Sequence, residues 1–211
     1  MSDWLPRSKS KGQTIAEQNL GFLLADLPQS YRAAIDQNRI KIKWHNRKKT
    51  SGVLDYDRKT IGLSLTEFSR FKYDAALPVR DQRWCIATLK EEIIHFIATH
   101  KGFDSSAAWI DAVKLDMKKP SRLRKKLFRK QREYDSAEDE FKCGIEEYRK
   151  KERFEEWLVD ILLVRDYLAA RGKPEEEIRQ KMTKAFPESY PLARAFQKAN
   201  LNDGRSQEHL T

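Results

Sequence analysis

Apolar positions recur along this chain with two different periods, and the change of period divides it. From Thr14 to Leu27, Ile15, Leu20, Phe22, Leu23 and Leu24 stop short of Pro28, which predicts a first helix capped at or just before Thr14. Pro28 to Asn38 predicts a short second helix around Tyr31 and Ile35. The period then drops to two. Arg39-Ile-Lys-Ile-Lys-Trp44 alternates polar with apolar, as a half-buried strand does. Val53 to Tyr56 and Lys59 to Leu63 follow, joined at Asp57-Arg58 by a tight turn. These runs predict a small N-terminal antiparallel sheet that turns Ile40, Ile42, Trp44, Ile61 and Leu63 toward the core.

From residue 81 the helical period returns and persists almost to the end. One helix is predicted over about Asp81 to His100, burying Trp84, Leu89, Ile93, Phe96 and Ile97. Further helices are predicted over Ser105 to Met117, over the basic stretch after Pro120, over Ser136 to Lys150, and over Lys151 to Ala170. The last of these is ended by Gly172 and Pro174. Pro174 to Ala185 and Pro191 to Ala199 complete the set. The fold class is therefore α+β, mostly helical. With no internal repeat and no low-complexity linker, one domain over residues 14–201 is the economical reading, flanked by tails at 1–13 and 202–211.

Composition narrows the class further. In 211 residues, 39% are hydrophobic and 35% charged, a balance that suits a helix-rich protein with long solvated faces. No apolar run approaches the roughly 18 residues of a membrane span. The first twelve residues lack the apolar stretch of a secretory signal, so the expected location is the cytoplasm, or outside by a route that needs no cleaved signal. Cys85 lies among Trp84, Ile86 and Ala87 as a buried hydrophobe would, and Cys143 lies in a charged stretch. Two thiols suit a reducing compartment.

The net charge of +10 is concentrated. Lys118, Lys119, Arg122, Arg124, Lys125, Lys126, Arg129, Lys130 and Arg132 fall within fifteen residues that hold no acid. Such a run could grip phosphate or an acidic partner. The competing and favoured reading is a solvated helix face, pinned on one side by Leu123, Leu127 and Phe128. Interleaved aromatics are few, so base stacking is not suggested and nucleic acid is not the expected partner.

One constellation carries chemistry. In Leu89-Lys-Glu-Glu-Ile-Ile-His-Phe-Ile97, residues 91 and 95 are one helical turn apart and face the same way. Glu91 and His95 can therefore share a metal ion, with Glu92 alongside at another azimuth. A mononuclear hydrolytic site needs a third ligand. Glu156-Trp-Leu-Val-Asp160 offers Glu156 as that ligand and Asp160 as a carboxylate able to orient a ligand from behind. His45, His100 and His209 lie at a strand end, a helix end and in the tail, and are weaker candidates.

The order of strands, metal helix and acidic helix resembles the gluzincin-type zincin metallopeptidases, whose signature pairs H-E-x-x-H with E-x-x-x-D. The detail is most similar to the family of the anthrax lethal factor catalytic domain and related toxin peptidases. Ile40 to Trp44 and Val53 to Leu63, with Gly52 before them, resemble the strands ahead of the motif helix. Glu91 to Ile97, Gly102 to Trp109 with Asp116, Arg153 to Asp160, and Phe186-Pro-Glu-Ser-Tyr-Pro191 resemble the segments that follow, so the likeness spans about residues 28 to 198. It implies a zincin-like domain whose sheet packs on the motif helix, a zinc cofactor, a protein or peptide substrate, and a bacterial effector or toxin setting. It also assigns roles: Glu92 as general base, Glu91, His95 and Glu156 as metal ligands, Asp160 behind the first ligand. Tyr148 lies near the place of an oxyanion-steadying tyrosine, one residue further from Glu156 than the pattern has it. Glu155 restores that spacing but breaks E-x-x-x-D.

The departure is Glu91, where the family has histidine. A Glu-His-Glu set still ligates a dication, but two carboxylates neutralise it, leaving a weaker Lewis acid and a taste for harder ions such as manganese or magnesium. Two functions stay open on this evidence: a metal-dependent peptidase, or a degenerate pseudo-peptidase kept as a protein-binding or regulatory module, with nucleic-acid binding through residues 118–132 a distant third.

Overall fold

The computed structural model describes residues 11–45, 52–68, 80–135 and 154–201. In chain order the elements are α1 (Lys11–Asp26), α2 (Gln29–Asn38), β1 (Lys41–His45), β2 (Gly52–Asp55), β3 (Thr60–Ser64), α3 (Leu65–Phe68), α4 (Arg80–His100), α5 (Ala107–Lys118), α6 (Arg122–Asp135), α7 (Phe154–Ala170), α8 (Glu175–Ala185) and α9 (Ser189–Asn200). The protein is thus mostly helical with one small sheet, in the α+β class that the periodicities predict. Tyr148, Cys143 and the helix expected over Ser136 to Lys150 lie outside the described residues, as do Lys151–Arg153 ahead of α7.

The chain forms two compact units, Met1–Phe96 with Leu201–Thr211, and Ile97–Asn200. In the first, the sheet is mixed, not antiparallel as expected. Its order is β1-β3-β2: β2 and β3 form an antiparallel hairpin, but β1 runs parallel to β3, pairing Lys41 with Thr60 and His45 with Ser64. The cause lies in β3, whose five residues are all buried and which therefore takes the centre. β1 exposes Lys41 and Lys43, and such lysines belong on an edge. Sequence neighbours β1 and β2 end up on opposite edges.

The expected apolar face is nevertheless the inner one. Ile40 and Trp44 are buried, as are Ile61 and Leu63, and Ile42 is half-buried. Trp44 meets Phe68 of α3 at 5.7 Å between ring centroids, Phe68 meets Trp84 of α4 at 6.3 Å, and Tyr56 stacks on Phe96 of α4 at 5.8 Å. The short helix α3, which the apolar pattern does not announce, is held by Asn19 of α1, whose Nδ2 donates to the Phe68 carbonyl at 2.7 Å. On α4, Leu89, Ile93, Phe96 and Ile97 are buried as predicted, with Ile94 beside them, and Cys85 is buried too.

The second unit is helical, and α7 is its spine, packing against α5, α6, α8 and α9. Trp157, Leu158, Ile161, Leu162 and Val164 of α7 are fully buried. Each such side chain contributes roughly 1.5–3 kcal/mol by leaving water. Trp157, Phe128 and Phe186 form an aromatic cluster with centroids 5.3–6.0 Å apart. The helix ends where Gly172 takes φ 69°, a left-handed conformation that glycine adopts without steric cost. Beneath α9 lies Asp116 of α5, fully buried: it accepts from the Glu188 and Ser189 amides at 3.2 and 2.9 Å and from the Ser189 hydroxyl at 2.6 Å. A carboxylate at these amides satisfies helix-start donors that have no partner of their own.

Candidate metal centre

Helix geometry delivers the first half of the predicted constellation. On α4, His95 Nε2 lies 3.9 Å from Glu91 Oε1, the i,i+4 neighbour. The two are not equally exposed: the Glu91 side chain keeps 40% of its surface, the His95 side chain 11%. The imidazole is thus largely withdrawn from water while the carboxylate reaches into it.

Glu92 is half-buried and closely flanked by the first residue of β2. A β-carbon added at Gly52 would overlap the Glu92 carboxylate and stand 2.6 Å from its Cγ. Glycine there allows the close approach, since a larger residue would oblige the Glu92 side chain to swing aside. Gly52 shares a face of the sheet with Trp44 and Leu63, the inward one.

Glu156 stands in the first turn of α7, where the helix dipole favours a carboxylate. Asp160 follows one turn later and is 8% exposed. Arg132 Nη2 of α6 donates to Asp160 Oδ2 at 3.4 Å. This partnership joins residues 28 apart and leaves no signal in the sequence, where Arg132 reads as one more member of the basic run.

Glu91 and His95 belong to the first unit and Glu156 to the second. Tetrahedral ligands at roughly 2.1 Å from a zinc ion stand about 3.4 Å apart. The Glu91–His95 separation of 3.9 Å exceeds that by only a small rotamer adjustment. One imidazole and two carboxylates are donors that zinc and manganese both accept. The Glu91–His95 pair by itself fits two positions in the shell of a divalent cation.

The basic run of α6 keeps a solvated face pinned on one side, with Arg124 the exception. Arg122, Lys125, Lys126, Arg129 and Lys130 of α6 are exposed, as are Lys118 and Lys119 before it, while Leu127 and Phe128 are buried. Arg124 is withdrawn from the surface at 3% exposure. Its guanidinium donates to the Ala185 and Lys119 carbonyls at 3.3 and 2.7 Å and lies 5.2 Å from the Trp157 ring. Lys119 pairs with Glu188 at 3.4 Å and Arg129 with Glu133 at 3.5 Å. His45 is buried at the end of β1, and His100 is exposed at the end of α4.

No protein-family model, curated protein or solved structure matches the chain. Among the described residues, no helix is long and apolar enough to cross a membrane.

Proposed function

We propose that this protein is a zincin-like metalloprotein that engages an extended peptide, with Glu91, His95 and Glu156 holding one divalent cation. The observation that carries the reading is the Glu91–His95 pair, one helical turn apart on α4 with 3.9 Å between ligand atoms, and the E-x-x-x-D spacing nominates Glu156 as the third ligand. Bound there, the cation would supply Lewis acidity and a lowered pKa for a water, both weakened by the second carboxylate.

The chain's own groups have distinct tasks. Glu92, at its separate azimuth on α4, is the proton acceptor, held by its contact with Gly52. Arg132 holds Asp160 from behind α7. Among the described strands β2 is an edge of the sheet, with its Gly52 end against Glu92. A peptide that added to this edge as a further strand would run past the Glu92 carboxylate, with main-chain hydrogen bonds fixing its register. That supports a protein or peptide substrate over a small molecule.

The test is metal analysis of protein purified without chelator, together with thermal melts in zinc and manganese. At a hundredfold excess over Kd, a bound ion adds about 2.7 kcal/mol, hence roughly 5–11 °C for a chain of this size. Glu156→Gln should abolish the shift. Equal melting with and without both ions would end the proposal. One observation favours a second reading: Glu91 and His95 form an ordinary i,i+4 helix pair that needs no metal. On that reading the β2 edge binds peptide without cutting it. A wild type inert toward metal, with Glu91→His gaining tight zinc, would select it.

A further inference from the structure

Away from the metal ligands, the first unit gathers cations in a second place. Lys41 and Lys43 lie two residues apart on β1, on the same exposed face, with Trp44 buried on the other. The turn ahead of β3 brings Arg58 and Lys59 beside them, the Lys41 amide donating to the Lys59 carbonyl at 2.8 Å. With Arg39 they line an open cleft of about 510 Å³ in which Asp57 is the one acid.

Two of the five cations stand where the backbone favours glycine. Arg39 closes α2 at φ 53° and ψ 44°, and Lys59 has φ 49°. Among the described residues these are the non-glycine positions with positive φ, and both open on the same cleft. At a helix C-terminus such a site is usually filled by glycine or asparagine, which meet less steric resistance there. A merely solvated surface gives no reason to hold an arginine and a lysine in strained conformations. Strain of this kind gathers where a side chain is kept for what it binds.

The lining specifies the ligand's chemistry. Arg39 and Arg58 offer planar forks that suit phosphate oxygens, and three lysines offer point charges from other directions. No aromatic side chain lines the cleft, so a nucleobase would find nothing to stack on. The volume falls in the range of small-ligand sites. We infer that this cleft binds a polyphosphorylated group, several phosphoryl anions carried on one small solute or one lipid headgroup.

Calorimetry with sodium tripolyphosphate, and sedimentation with phosphatidylcholine vesicles lacking or containing phosphatidylinositol bisphosphate, test this on the full chain. Saturable binding is expected, at least tenfold weaker in Lys41→Glu/Lys43→Glu. The control Lys184→Glu/Lys198→Glu, which changes net charge equally at exposed positions of α8 and α9, should bind like the parent. Both β1 lysines are exposed. Arg39→Gly should weaken binding severalfold while melting at or above the parent temperature. Response to tripolyphosphate assigns a soluble ligand, and response to the phosphoinositide vesicles alone assigns a lipid. The inference is overturned if neither probe binds, if both double variants weaken binding equally, or if polyglutamate competes as well as tripolyphosphate. Binding to single-stranded RNA that strengthens with length would give the cleft to nucleic acid instead.

Discussion

Replacing Gly52 by alanine tests the contact between β2 and Glu92 directly. The new methyl group would overlap the Glu92 carboxylate, so that carboxylate must swing away. It is the far end of a flexible side chain, so a displaced rotamer costs only about 0.5–1.5 kcal/mol. Against this, alanine narrows the unfolded ensemble and returns roughly 0.4–1 kcal/mol. In the parent the two nearly cancel. In a Glu92→Ala background the clash is gone and only the gain remains, so the same substitution should stabilise. The difference between backgrounds, about 0.5–1.5 kcal/mol, is the coupling, and urea unfolding of the four proteins measures it. Effects of Gly52→Ala that agree within about 0.3 kcal/mol in the two backgrounds would refute the contact. Any peptide hydrolysis the parent shows should fall by about 10²-fold in Gly52→Ala, because a misplaced proton acceptor loses the geometry that its chemistry needs.

Asp116→Asn should destabilise by about 2 kcal/mol, since one of the carboxylate oxygens that serve Glu188 and Ser189 becomes a donor facing donors. The melting temperature should drop by about 4–8 °C, and a fall below about 1 °C would count against Asp116 as the cap of α9. Burial holds the Tyr190 hydroxyl above its ordinary value near 10. The neutral phenol is therefore favoured by folding: its contribution is complete below about pH 10 and is lost as pH rises beyond, where the unfolded chain ionises first. Urea midpoints between pH 9 and 11.5 should decline less steeply in Tyr190→Phe than in the parent, and parallel declines would remove Tyr190 from the account.

What was readable in advance follows from the range of the forces involved. Periodicity reports which side of an element is buried, so α4 and the inner face of the sheet came through: Leu89, Ile93, Phe96, Ile61 and Leu63 are buried as their spacing requires. Chain punctuation came through as well, with α2 starting at Gln29 after Pro28 and α7 ending before Gly172. Strand partnership did not. Alternation says that β1 has two faces but not which neighbour it takes, and the choice fell to β3 because that strand is buried throughout. At the candidate site, helical spacing alone places Glu91 with His95, whereas the choice of Glu156 over Glu155 rested on the E-x-x-x-D pattern. The partners of Asp160 and Arg124 were illegible for a different reason. Arginines in a charged run look alike, and only tertiary packing decides that Arg124 lies on Trp157 and Arg132 on Asp160 while Lys125 and Lys126 stay in water.

The burial of the three ligands bears on what metal removal should do. In a small domain whose metal site substitutes for a core, ligation is folding free energy, and chelation unfolds the chain. Here each unit has a core of its own, built from residues such as Leu23, Tyr31, Ile61 and Ile93 in one and Trp109, Trp157, Met182 and Phe186 in the other. Glu91 keeps 40% of its side-chain surface in water, so its charge stays partly solvated without an ion. A cation at Glu91, His95 and Glu156 would then act by linkage alone, adding a few kcal/mol to a structure already formed. EDTA should therefore leave the far-ultraviolet circular dichroism spectrum unchanged at 25 °C and move only the melting temperature. Loss of helical signal on chelation at that temperature would mean that the ion is part of the fold, and that the cores named above are insufficient without it.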